Sequence, residues 1–125
     1  MTDRPNSDVP GSEPELDEKV LIRLFDLAGP EQTIEILDRL IMDLREVQQV
    51  LNRARSVDIA TLRRQNHTLI GIAGTVGAAP LHRLALEAGR LLREGPEPGA
   101  EAVVAGLRPM VDRLISSLIA MRAGR

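Results

Sequence analysis

The chain has 125 residues, of which 43% are hydrophobic and one is aromatic, and its formal net charge is −2 at pH 7. This size and composition suit one domain with a hydrophobic core, while the mild charge and the single aromatic residue argue against a nucleic-acid binder. Cysteine is absent, which excludes disulfides and thiolate metal sites. Because we find no signal peptide and no long apolar run, we expect no membrane span and a cytoplasmic protein. We also expect a monomer.

The first 14 residues, MTDRPNSDVPGSEP, combine proline, serine, glycine and acidic residues with almost nothing to bury. This composition predicts a disordered acidic tail over residues 1–14. The remainder, residues 15–123, predicts a helical bundle.

Two amphipathic helices are predicted first, over Glu15–Ala28 and from Pro30 to about Arg53. The pair Gly29-Pro30 ends the first and begins the second, with proline at the favoured first helical position. Apolar residues recur at helical spacing in both segments. Those of the first are Leu16, Val20, Leu21, Leu24, Phe25 and Leu27, and those of the second are Ile34, Leu37, Leu40, Ile41, Leu44, Val47 and Leu51.

Three further helices follow. Asp58 is a good N-cap for the third, and the run from Gly77 to Pro80 closes it and opens the fourth. A loop is predicted over Gly95–Gly99, and the last helix over about Ala100–Met121. No strand-like alternation occurs, so the sequence predicts an all-α fold, an antiparallel four-helix bundle with a short additional N-terminal helix.

The third helix contains the stretch Gln65–Ala78, QNHTLIGIAGTVGA. On a wheel of about 100° per residue, its apolar stripe includes Leu69 and Ala73, and His67 projects about 130° away from the stripe's centre, towards water. Gly71 and Gly74 follow His67 on its side of the helix and form what we call the glycine shelf. Since a helical glycine costs about 1 kcal/mol relative to alanine, a bare shelf beside one histidine indicates a docking surface.

The residues His67-Thr68-Leu69-Ile70-Gly71 and Ala73-Gly74-Thr75-Val76-Gly77-Ala78 resemble the H-x-L-K-G-x-x-G-x-x-G-A signature of histidine-containing phosphotransfer (HPt) domains. The resemblance implies the predicted bundle and a phosphorelay role, in which His67 carries a phosphoryl group between receiver-domain aspartates. It implies response-regulator receivers, a hybrid histidine kinase or both as partners. Any Mg²⁺ belongs to the receiver, so we expect no cofactor on this chain. We also expect no ATP site and no kinase activity, since no P-loop is present.

Charge near His67 fits this expectation. Arg63 and Arg64 lie one turn before the histidine, and positive charge favours an approaching phosphoryl group, although a solvated arginine-rich face is an equally good interpretation. The family usually has lysine three residues after the histidine, where this chain has Ile70. The arginines could replace that lysine, and the isoleucine could add an apolar patch for a partner. His82 is interpreted as a surface residue, and two histidines without cysteine predict no metal site.

Two alternatives stay open. The first is an HPt-fold binding module that docks receivers or kinases without efficient phosphotransfer, motivated by Ile70. The second is a helical adaptor unrelated to phosphorelay, which a buried His67 or a covered glycine shelf would favour.

Overall fold

The fold consists of five α-helices in a computed structural model that describes residues 15–94 and 98–124. These are α1 (Glu18–Ala28), α2 (Pro30–Asn52), α3 (Ile59–Val76), α4 (Ala79–Glu94) and α5 (Pro98–Ala123). The described residues contain no strand, which confirms the predicted all-α class. The tail predicted over residues 1–14 lies outside the described residues, as does most of the predicted Gly95–Gly99 loop.

Helices α2 to α5 form a closed ring, because the backbone of each lies close to those of two neighbours. Three side-chain hydrogen bonds connect α2 with α5, and their order along the two helices is opposite, so the helices are antiparallel. The bonded pairs are Asp38 with Arg122, Gln48 with Asp112, and Asn52 with Arg108. Helix α1 packs on α2 and α3. The arrangement is the predicted four-helix bundle with an additional N-terminal helix.

The core is built from leucines and valines on the inward stripes of all five helices. Leu21, Leu37, Leu44, Leu69, Leu107 and Leu118 are completely buried. Leu27, which the periodicity of α1 assigned to the apolar face, is instead 88% exposed. Leu27 lies one residue before the end of α1, close to the turn at Gly29, and no neighbouring helix covers it there.

The helix boundaries follow from local chemistry. Asp17 caps α1 by accepting a hydrogen bond from the Lys19 N–H at 3.0 Å, so α1 begins three residues later than predicted. Asp58 caps α3 as predicted, accepting from the Thr61 N–H at 2.8 Å. Helix α5 begins at Pro98, earlier than the predicted Ala100, because proline suits the first turn of a helix.

The capping carboxylate of Asp58 should make stability pH-dependent. Hydrogen bonds from the Thr61 side chain and backbone, with the charge of Arg64, lower the pKa of Asp58 from its ordinary value. A lowered folded-state pKa means that this stabilisation is present above the pKa of the unfolded state, which is about 4. It is lost as the pH falls through the pKa of the folded state. We expect Asp58→Ala to lower the free energy of unfolding in urea at pH 7 and to change it little well below the folded pKa. An equal loss at both pH values would contradict this.

Gly77 ends α3 in the left-handed region, with φ of +74°, and packs against the start of α1. A β-carbon there would lie 3.0 Å from the Asp17 β-carbon and 3.1 Å from Val20 Cγ2. We expect Gly77→Ala to lower the free energy of unfolding by about 1–2 kcal/mol or more. Gly71→Ala is the matched control, since it adds the same methyl group in open space and should stabilise by up to about 1 kcal/mol. If the two variants changed the free energy of unfolding in urea equally, the left-handed conformation and close packing of Gly77 would not be limiting stability.

Candidate functional site

His67 lies on the outer face of α3 and is exposed to solvent. Its neighbours Leu69 and Ala73 are completely buried on the opposite side of the helix. The predicted orientation of α3 is therefore confirmed. The imidazole is accessible to a macromolecular partner, and a buried His67 is excluded.

The glycine shelf is open at Gly71 and has a neighbouring side chain at Gly74. A β-carbon added to Gly71 would meet no atom within 4 Å, so the surface one turn beyond His67 is bare. A β-carbon added to Gly74 would lie 3.6 Å from both Cδ2 and Nε2 of His82. Gly74 is itself exposed, and the half-buried His82 ring of α4 borders it at ordinary contact distance.

Helices α3 and α4 are held in register beside His67 by a buried polar contact. Asn66, which immediately precedes the histidine, is 5% exposed and donates a hydrogen bond from Nδ2 to the Ala85 carbonyl oxygen at 2.9 Å. Such a bond between a buried side chain and a neighbouring backbone fixes the rotation of one helix against the other. It therefore positions the face that carries His67.

Arg63 and Arg64 have different surroundings. Arg63 crosses to the end of α4, where Nε and Nη2 donate to the Leu92 carbonyl oxygen at 3.0 and 2.8 Å. It thereby satisfies a carbonyl near the C-terminus of a helix, where cations are favoured. Arg64 is exposed and makes a long 3.5 Å contact with the Thr61 hydroxyl. Arg63 is consequently engaged in holding α4, whereas Arg64 has more freedom to move.

Ile70 is directed into the seam between α3 and α4. It is half-buried and packs against the core, and its Cδ1 lies 3.8 Å from the position of a β-carbon on Gly89. The apolar patch expected beside His67 is therefore partly covered. Leu86 on α4, 48% exposed, adds apolar surface on this side of the bundle.

One face of α4 borders α3 alongside the site. It carries His82, Leu86, Gly89 and Arg93, spaced by four, three and four residues, which places them in one row. His82 and Gly89 contact α3 directly. Sequence reasoning missed this row, although its spacing, next to the buried stripe of α4, was a usable signal.

The electrostatic surroundings are mildly positive. Glu87 is the one acidic residue between Thr61 and Arg93, and its carboxylate pairs with Arg90, which lowers the pKa of Glu87. Arg90 also contacts Glu94 at 3.3 Å. Across residues 15–94 and 98–124, no group of three or more His, Asp or Glu side chains is placed to hold a metal ion, and no helix has the length and apolar character to cross a membrane.

Comparison with known proteins places this geometry in a family. The family profile of the Hpt domain matches residues 35–117. The crystal structure of histidine-containing phosphotransfer protein B (HptB) from Pseudomonas aeruginosa PAO1 superposes with a TM-score of 0.77 at 23% identity, over 90% of this chain and 97% of that one, which is a likeness of fold. No curated protein sequence matches. With the profile spanning most of the bundle and the exposed His67 inside the matched region, the chain belongs to the Hpt domain family.

Proposed function

We propose that this protein is a phosphorelay intermediate in which His67 accepts a phosphoryl group from a receiver-domain aspartate and passes it to another. The observation that carries the proposal is the exposed His67 beside the open surface of Gly71, on the central helix of an Hpt domain. An exposed nucleophile next to bare backbone allows the phosphorylated side chain of a folded partner to reach it.

The proposed reaction is a direct displacement at phosphorus. The neutral form of an imidazole has a free electron pair on one ring nitrogen. This nitrogen of His67 attacks the aspartyl phosphate, a P–N bond forms, and the P–O bond to the aspartate breaks. The carboxylate leaves with the electron pair of that bond, and the proton on the other ring nitrogen stays in place. The reverse step delivers the phosphoryl group to the next aspartate.

The partner supplies the remaining parts of the proposed reaction. Acidic residues of the receiver would hold Mg²⁺, and the metal ion would neutralise negative charge at the transferring group, so the proposal requires neither a metal nor a nucleotide on this chain. Association is favoured by the positive balance between Thr61 and Arg93, in which Glu87 is paired with Arg90. Receivers, a hybrid histidine kinase or both are the proposed partners.

The test is transfer from a panel of labelled, phosphorylated receiver domains of the same organism. At least one receiver should lose label to this protein within seconds to minutes, while most of the panel should not. If no receiver donates or accepts, the proposed relay is refuted.

A second candidate is a binding module of the same fold that docks receivers without transfer. The specific observation in its favour is Ile70, which stands where the family usually has lysine and packs into the α3–α4 seam. Micromolar binding of a receiver, measured by titration calorimetry, together with no transfer of label would favour this candidate over the relay.

A further inference from the structure

Gly89 on α4 lies beside position 70, where the family usually has lysine, and its lack of a side chain allows α3 to approach closely. A β-carbon at residue 89 would lie 3.2 Å from Asn66 Nδ2, 3.8 Å from Ile70 Cδ1 and 3.9 Å from Arg93 Nη1. Gly89 is thus bordered by the residue before His67, by the residue one turn after it, and by the Arg93 guanidinium of its own helix. A β-carbon at position 89 would press against the Asn66 amide.

The guanidinium of Arg93 reaches back along α4 to Gly89. Arg93 lies in the last turn of α4, one residue beyond the Leu92 carbonyl that binds Arg63. Because α3 and α4 run antiparallel, its backbone is level with the turn before His67, but Nη1 extends to the level of Asn66 and Ile70. The cationic end therefore lies near Asn66, which precedes His67, and near Ile70, which follows it by one turn.

Arg93 also differs from Arg90 and Arg63 in what its guanidinium binds. Within the described part of the chain, its guanidinium forms no ion pair. Arg90, on the same helix, is paired with Glu87 and Glu94, and Arg63 is bound to the Leu92 carbonyl. Arg93 consequently keeps its charge and donors available to an incoming anion.

We infer that Arg93, reaching across Gly89 from the adjacent helix, is the cationic residue that contacts the phosphoryl group on His67 and replaces the lysine absent at position 70. The inference rests on the proposed function and names the residue that completes its site. As the aspartyl P–O bond breaks and the P–N bond to His67 forms, the guanidinium donates to the phosphoryl oxygens. The guanidinium transfers no proton and forms no covalent bond. Its planar arrangement of N–H donors matches the geometry of phosphoryl oxygens.

The experiment compares single-turnover transfer from a phosphorylated receiver to three variants and the wild type. Arg93→Gln should slow transfer at saturating receiver by about tenfold or more, the effect of losing one charge-assisted contact. Arg90→Gln, the matched control one turn away, should transfer at the wild-type rate. Arg93→Lys should restore most of the rate. Circular dichroism should show the same helicity for all four proteins.

Relocating the charge separates a direct role from a structural one. Adding Ile70→Lys to Arg93→Gln should recover the rate, because the cation then approaches His67 from its own helix, and no structural role of Arg93 would be repaired by that change. If the wild type transfers and Arg93→Gln matches it, or if Ile70→Lys gives no recovery, the inference is wrong while the proposed function survives. If the wild type accepts no phosphoryl group from any receiver, both are wrong.

Discussion

Replacing His67 with glutamine is expected to abolish phosphoryl acceptance, with a loss of at least about a thousandfold to the background level. Glutamine keeps a polar side chain at the exposed position and supports a helix well, but its amide nitrogen has no free electron pair for attack on phosphorus. The fold should persist because His67 lies outside the core. The measurement is label transferred from a phosphorylated receiver, with thermal unfolding followed by circular dichroism on the same samples.

His82→Gln is the matched control for this prediction. The two histidines are the only ones in the chain, and both border the glycine shelf, but the His82 ring lies against Gly74. The rate at which His82→Gln accepts the phosphoryl group should therefore stay within a few-fold of the wild-type rate. Any change should come only from altered docking of the receiver. Acceptance by His67→Gln, or its loss in His82→Gln with wild-type folding, would show that the phosphoryl acceptor has been misassigned.

Filling the bare surface at Gly71 is expected to weaken receiver binding and transfer by about ten- to a hundredfold. Leucine would project from the position one turn beyond His67, where no atom lies within 4 Å of an added β-carbon. A partner that approaches the histidine closely must then shift or lose contact. Because leucine is a better helix former than glycine, the Gly71→Leu variant should unfold at an equal or higher denaturant concentration.

Ala105→Leu is the control for Gly71→Leu, since it adds a leucine at an exposed position of α5, a helix that does not pack against α3. Its affinity for the receiver, measured by titration calorimetry, should equal that of the wild type. Normal binding by Gly71→Leu would mean that the glycine shelf is not a docking surface.

Much of the fold could be predicted because it depends on local signals. Apolar residues at helical spacing gave all five helices, and Gly29, Asp58 and Gly77 mark ends that the structure places at or next to the predicted positions. The start of α5 was misplaced because the predicted loop assigned Pro98 to a break, whereas proline also fits the first turn of a helix. Leu27 was misassigned because periodicity does not tell where a neighbouring helix ceases to cover a face.

The site was predictable only where it lies on one helix. The exposure of His67 and the open surface at Gly71 follow from the wheel of α3 alone. The contacts of His82 with Gly74 and of Arg63 with Leu92, and the close approach of α3 at Gly89, depend on the rotation and register of α4 against α3. The buried bond from Asn66 to Ala85 fixes that register, and a single sequence does not specify which carbonyl a buried amide will find.

The central claim is that His67 carries the phosphoryl group, and its most direct test is to locate that group on the protein. The wild type would be incubated with a phosphorylated cognate receiver and fragmented at neutral pH for mass spectrometry. We predict one phosphoryl group, on His67, that is lost in acid and retained in alkali, as expected of a phosphoramidate. A phosphoryl group on His82, on any other residue, or on none would contradict the account.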